Sequence, residues 1–225
     1  MDGSFALAIF DLDGTLVDSL PDIAAALNRT LTYAGYAPLP AAQIAGYVGD
    51  GAAKLLQRAL PDGTPAETLA ELGTYFRTAY GQHLHDETRP YAGLEPVLRQ
   101  LAQSMPLAVF TNKPSALARP LLSGLALAGY FADIVGDGDG FPRKPDPAAG
   151  RWLLQRHGVA DAQRVLVVGD GLPDMRFARA LGARSAAVTW GYVARDALAA
   201  EQPTWIVDAP AELLEIAGAT PPDPG

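Results

Sequence analysis

The stretch AIFDLDGTLVDS, residues 8–19, runs an apolar segment straight into Asp11 and places Asp13 two positions later. Two unpaired carboxylates at a strand end are costly unless solvent, a metal or a cation compensates them. Three other stretches carry residues that fit the same chemistry: Thr111 and Asn112 in VFTNK, Lys144 in RKPDP, and Asp170 and Asp174 in VVGDGLPDM. A carboxylate at a strand end can attack phosphorus in line and form an acyl-phosphate. Asp11, Asp13, Asp170 and Asp174 together would repel a phosphate dianion. A hard divalent cation resolves that conflict, and oxygen ligands without a thiolate suit Mg²⁺.

Something must bring these distant residues together. Short apolar, β-branched runs predict strands at residues 6–12, 107–111, 134–136, 165–169, 186–189 and 205–207. RVLVVGD shows no polar alternation, as expected of a strand covered on both faces. Helical patterns fall between the strands, at 94–104, 116–128, 148–157 and 175–181. Such alternation predicts a doubly wound parallel sheet of the α/β class. Ligands of open α/β sheets bind beyond the carboxyl ends of the strands, where Asp11, Thr111 and Asp170 would all stand.

One interval breaks the rhythm. Roughly 95 residues separate the first two strands, whereas a crossover needs only about a dozen. DIAAALNRTLTYAG, DGAAKLLQRAL and AETLAELGTYFRTAYGQHL in this interval have helical periodicity and little strand character. The expectation is a helical cap domain, residues 18–89, inserted into a core of residues 1–17 and 90–225, with crossings near 18–21 and 88–90.

Composition narrows the partners. The 225 residues are 49% hydrophobic and 19% charged, an ordinary globular balance, and contain no cysteine, which excludes disulfides and thiolate chemistry. A net charge of -8 argues against nucleic acid or an anionic membrane surface. No basic leader and no segment near the roughly 20 apolar residues of a membrane span is seen, so the cytoplasm is the expected location. The ATPPDPG end is expected to fray. GDGDGF hints at a calcium loop but has Ala148 where the bidentate glutamate belongs. GYVGDGAAK lacks the ending of a phosphate-binding P-loop, and His83, His85 and His157 have no metalloprotease spacing.

In order and context, the four stretches resemble the haloacid dehalogenase superfamily of aspartate-nucleophile phosphohydrolases. The resemblance implies a Rossmann-like core with Asp11 as nucleophile and a Mg²⁺ held by Asp11, the backbone carbonyl of Asp13, Asp170 and Asp174. It implies Lys144 as the other positive charge, with Thr111, Asn112 and nearby N–H groups holding phosphate oxygens. Asp13 would protonate the leaving alkoxide and then activate water. Relatives that cleave carbon–halogen bonds or phosphonates lack this second aspartate, so its presence points to phosphate esters.

A helical insertion directly after the first motif resembles the phosphoglycolate phosphatase branch, as do YVGDGAAKLLQRAL, FTNKP and TWGYVARDAL. That implies a small phosphorylated metabolite, 2-phosphoglycolate, as substrate of a monomer or homodimer. Two departures stand out: Gly171 where serine or threonine is common, and a glycine-rich run before Lys144. A sugar-phosphate phosphatase, acting for instance on N-acetylmuramic acid 6-phosphate, would share every core residue, and a β-phosphoglucomutase-like phosphotransferase would use the same intermediate but retain and re-deliver the phosphoryl group. The substrate's carboxylate needs a cation or N–H donors in the cap. Gly51, with Lys54 and Arg58 one turn apart on one helix face, is the candidate set.

Overall fold

The computed structural model describes residues 5–218, so the ATPPDPG end lies outside the described residues. Strand β1 (Leu7–Phe10) is followed by the two-residue strand β2 (Val17–Asp18) and four helices, α1 (Leu20–Tyr33), α2 (Ala41–Ala45), α3 (Ala52–Ala59) and α4 (Ala66–Gly81). Strand β3 (Arg89–Pro90) brings the chain back, and α5 (Leu94–Ser104), β4 (Leu107–Pro114), α6 (Ser115–Gly124) and β5 (Asp133–Asp137) follow. The remainder is α7 (Ala148–Arg156), β6 (Val165–Gly169), α8 (Leu172–Leu181), β7 (Arg184–Val188), α9 (Arg195–Ala200), β8 (Trp205–Val207) and α10 (Glu212–Ile216). No helix among the described residues is long and apolar enough to cross a membrane.

The main sheet has the order β5-β4-β1-β6-β7-β8, and every pairing in it is parallel. From β1 the chain winds outward through β4 and β5 on one side, then through β6, β7 and β8 on the other. The order therefore reverses at β1, and a crevice opens beyond its carboxyl end. That is where Asp11 stands.

Both faces of the sheet are covered, and the strands show it residue by residue. Ala8, Phe10, Leu107, Val109, Leu166 and Val168 face one apolar cluster with residues of α5, α6 and α10. Leu7, Ile9, Ala108, Phe110, Val165 and Val167 face the other, with residues of α7 and α8. The strict alternation follows from the two-residue period of a strand, and burial on both sides explains why β1 and β6 carry no polar residue.

The helices between β2 and β3 pack α1 on α4 and α4 on α3. Their apolar residues Leu27, Leu31, Leu56, Leu72 and Phe76 join the cluster on the first face. The two crossings into this insertion are tied together. Val17 pairs with Pro90 and Asp18 with Arg89 in an antiparallel ribbon. Buried Asp22 in α1 accepts the backbone N–H groups of Glu87 (3.0 Å) and Thr88 (2.8 Å) and the Thr88 hydroxyl (2.7 Å).

Several bounds differ from the sequence expectation. The ribbon and α2 are too short for any hydrophobic period to mark them. Helix α8 begins at Leu172 rather than 175, because Pro173 sits in the first turn, where its missing N–H costs nothing. Strand β4 runs to Pro114 rather than 111, with a register shift between Phe110 and Pro114. Such irregularities re-aim side chains beside functional sites, and this one lies across Thr111, Asn112 and Lys113.

Candidate active site

Asp11 is the first residue past β1, and its N–H still donates to Val168 O (2.9 Å). The chain then turns tightly: Leu16 and Val17 donate to Leu12 O, and Gly14 N donates to Val17 O. Gly14 has φ +85°, and a Cβ there would stand 2.3 Å from Asp170 Oδ2. Glycine is thus required twice over, by backbone conformation and by the carboxylate packed against it. The turn delivers Thr15, whose hydroxyl donates to Asp170 Oδ1 (2.8 Å) and accepts Asp170 N–H (3.0 Å). Tyr192 N–H fixes the other oxygen, Oδ2, at 2.9 Å.

Lys144 is buried between two carboxylates, its Nζ 2.7 Å from Asp11 Oδ1 and 2.6 Å from Asp174 Oδ1. Its contact with Asp11 is an ion pair out of line for a hydrogen bond, and Asp11 Oδ1 is buried without one. Asp174 Oδ2 accepts Gly171 N–H (2.9 Å), so this residue both caps α8 and reaches the cluster. Burial works against the Lys144 charge, but Asp11 and Asp174 outweigh it and hold the ammonium above the ordinary lysine range.

The balance of charge is unfinished. Asp11, Asp170 and Asp174 each offer an oxygen within 4.8 Å of the others. Lys144 alone does not neutralise them. Burial, and then the Asp174 charge, push Asp11 well above the usual carboxylate range despite Lys144. Burial, and then Asp11 and Asp174, raise Asp170 to about 8. A buried, all-oxygen cluster short of positive charge fits a hard divalent cation.

The structure places the other expected residues as follows. Thr111 Oγ1 accepts Lys113 N–H (3.1 Å), which leaves its own O–H free to donate. The Asn112 side chain is fully engaged: Oδ1 accepts Lys144 N–H (2.8 Å) and Nδ2 donates to Gly49 O (3.0 Å). It joins the Lys144 loop to the helical insertion, so any hold on phosphate at this position falls to backbone. Asp13 Oδ1 accepts from both Ser19 Oγ (2.6 Å) and Lys113 Nζ (2.8 Å), Oδ2 has no hydrogen bond among the described residues, and Asp13 lines a cavity between the core and the insertion.

That cavity is lined by Asp11, Asp13, Thr111, Asn112 and Lys113 from the core and by Ile23, Val48, Gly49, Gly51, Ala52, Leu55, Phe76 and Tyr80 from the insertion. Gly51 is in it; Lys54 and Arg58 are not. Ala52 and Leu55, three residues apart on α3, turn one face to the cavity, which puts Lys54 and Arg58 on another. Lys54 bonds Gln57 (3.0 Å), and Arg58 pairs with Asp50 and donates to Tyr47 O (3.0 Å), all of them exposed bonds.

Sequence reasoning missed Lys113. Its ammonium donates to Asp13 and to Tyr80 OH (2.6 Å), with the Tyr80 ring centroid 4.4 Å away. Burial opposes its charge, but Asp13 and Tyr80 outweigh that and keep it above the ordinary lysine range; burial in turn raises the Tyr80 phenol to about 12. A signal existed, since Lys113 stands two residues beyond Thr111 and strand period favours a shared face. Tyr192, whose hydroxyl accepts the N–H groups of Ser19 (2.9 Å) and Leu20 (3.0 Å), gave none.

The profile of the haloacid dehalogenase-like hydrolases matches residues 8–188. The phosphoglycolate phosphatase of Neisseria meningitidis serogroup A is 41% identical over 215 residues, covering 92% of this chain and 91% of its own. That of Vibrio cholerae serotype O1 is 37% identical over 222 residues, covering 95% and 97%. The crystal structure of a predicted phosphoglycolate phosphatase from Haemophilus somnus 129PT superposes with a TM-score of 0.88 at 31% identity, over 94% of this chain and 97% of that one.

Proposed function

The chain belongs to the haloacid dehalogenase-like hydrolases, and from that premise we propose that it is a Mg²⁺-dependent phosphomonoesterase acting through an aspartyl-phosphate on Asp11, with 2-phosphoglycolate as substrate. The observation that carries the reading is the pairing of Asp11, at the reversal point of the sheet, with Asp13 in the lining of one cavity, Asp13 being held through Oδ1 alone. Relatives named phosphoglycolate phosphatase across nearly the whole chain support the substrate.

In this scheme Asp11, held against Lys144, attacks phosphorus, and the ester oxygen departs as the P–O bond breaks. Lys144 and the Thr111 O–H hold the oxygens of the transferring group. Bound at Asp11, Asp170, Asp174 and the Asp13 carbonyl, Mg²⁺ would supply the positive charge that lets a phosphate dianion enter. Asp13 Oδ2 gives its proton to the leaving oxygen, then takes one from the water that hydrolyses the acyl-phosphate. Lys113 and Ser19 fix Oδ1, so Oδ2 is the oxygen that carries the proton. The division into a core of residues 1–17 and 90–225 and a cap of 18–89 is part of the same proposal.

The walls favour a small acid over a sugar. Ile23, Val48, Leu55, Phe76 and Leu117 bring no hydrogen-bonding side chain to the cavity, and a sugar's hydroxyl groups would lose their water without replacement. A panel of phosphorylated metabolites assayed with Mg²⁺ tests the assignment: the highest kcat/KM is expected for 2-phosphoglycolate. Sugar phosphates in first place, or dependence on a sugar bisphosphate, would overturn the substrate and leave the phosphatase chemistry standing.

Asp13→Asn tests the acid role. Turnover of an alkyl phosphate should fall by about 10²–10⁴-fold. The acyl-phosphate burst with p-nitrophenyl phosphate should fall much less, because that leaving group needs little protonation. Equal losses on both would make Asp13 structural.

A further inference from the structure

We infer that Lys113 is a substrate-specificity residue whose ammonium receives a carboxylate bonded one or two carbons from the ester oxygen. The inference rests on the phosphatase reading above and assigns the part of the site that distinguishes one phosphate ester from another.

Three features converge on Lys113. It is the one cation among the described residues that line the cavity. Its side chain is 4% exposed, so bulk water does not satisfy it. An ammonium has three N–H donors, and two are taken, by Asp13 Oδ1 and Tyr80 OH. No third acceptor for it occurs among the described residues.

Charge supports the same use. Asp13, which holds the ammonium at 2.8 Å, is in the proposed scheme also the group that meets the ester oxygen. A group in contact with Lys113 is therefore close to the ester oxygen along the substrate. Ile23, Val48, Leu55, Phe76 and Leu117 make the apolar part of the lining, where an anion would lose its hydration without compensation, and Asp11 and Asp13 would repel it. Lys144 is already shared between Asp11 and Asp174 and serves the phosphoryl end. Lys144 thus serves Asp11 beneath the cavity, and Lys113 is left as the cation in the cavity lining that can meet a second anionic group of the substrate. Lys113 belongs to the core and Tyr80 to the insertion, so the receiving group is built from both.

The test compares 2-phosphoglycolate with ethyl phosphate, in which a methyl group replaces the carboxylate. Wild-type enzyme should prefer the acid in kcat/KM. In Lys113→Met, KM for 2-phosphoglycolate should rise about 30-fold or more, while KM for ethyl phosphate stays nearly constant. Any fall in kcat caused by a looser Asp13 should be shared by both substrates. Lys113→Arg should recover part of the preference. Equal losses on the two substrates with unchanged KM would overturn the inference and leave Lys113 as support for Asp13 alone. So would a wild type that hydrolyses ethyl phosphate as well as 2-phosphoglycolate. A wild type inert towards every phosphate ester would overturn the phosphatase reading itself. Should the variants not fold, the wild type still decides. Activity should drop with each methylene added between carboxylate and ester oxygen, from 2-phosphoglycolate to the phosphates of 3-hydroxypropanoate and 4-hydroxybutanoate. A flat series would overturn the assignment.

Discussion

Replacing Asp11 with asparagine should abolish turnover of every phosphate ester, a loss of about 10⁴-fold or more, without unfolding the protein. The amide has nearly the same shape but cannot attack phosphorus, so no acyl-phosphate forms. It also removes one negative charge from a cluster that has too many, which spares the fold: Asp11 Oδ1 is buried, and desolvation and Asp174 already work against ionisation of the carboxyl. Mass spectrometry of rapidly quenched wild-type enzyme should find phosphate on the peptide that contains Asp11. A phosphorylated residue elsewhere, or a working asparagine variant, would sink the proposed role.

Withdrawing divalent cations should have an effect of similar size, and one that can be read without any substrate. EDTA should eliminate activity and excess Mg²⁺ restore it. Thermal unfolding gives the independent readout. A ligand at 100 times its dissociation constant stabilises the folded state by about 2.7 kcal/mol, so Mg²⁺ should raise Tm by several degrees. The sign of the pH dependence follows from Asp170. Its folded value of about 8 lies above the unfolded value, about 3.9. The stability it contributes to the metal-free protein is therefore complete below that unfolded value and is lost as pH rises through 8. Mg²⁺ should flatten this slope. Asp170→Asn should raise the Tm of the metal-free protein and remove the response to Mg²⁺. An unchanged Tm with Mg²⁺, or full activity in EDTA, would reject a metal at this cluster.

The fold was legible because its signals are local. β6 read as a strand covered on both faces from RVLVVGD, β1 read as a strand from its apolar run into Asp11, and a parallel sheet followed from the alternation with helices. The gathering of Asp11, Thr111 and Asp170 at one edge of the sheet followed from topology alone, although only Asp11 and Asp170 directly follow their strands and Thr111 lies within β4 at its register shift. What could not be read is what the docking of the helical insertion decides. Lys54 and Arg58 share a helix face, as their spacing requires, but the face that α3 turns inward carries Ala52 and Leu55, and no period in the sequence says which face docks. Lys113 finds Tyr80 and Asp13, 33 and 100 residues away. Tyr192 reaches Ser19 and Leu20 across more than 170 positions. Such partners are set by tertiary packing, and a reading that treats each motif separately cannot pair them.

Val17 lies opposite Pro90 and Asp18 opposite Arg89, so to the core everything between residues 18 and 89 is the tip of a single hairpin. Closing a loop costs only about 0.6 kcal/mol more for each doubling of its length. The tip can then grow, shrink or be exchanged for an unrelated fold while the six-stranded sheet and Asp11 stay as they are. A lineage built this way can try new recognition surfaces on an unaltered reaction centre, and a laboratory graft can do the same. Lys113 sets the condition for success: an incoming module must offer its ammonium an acceptor where Tyr80 OH now stands, or the donated surface will sit above a core that has lost its grip on Asp13.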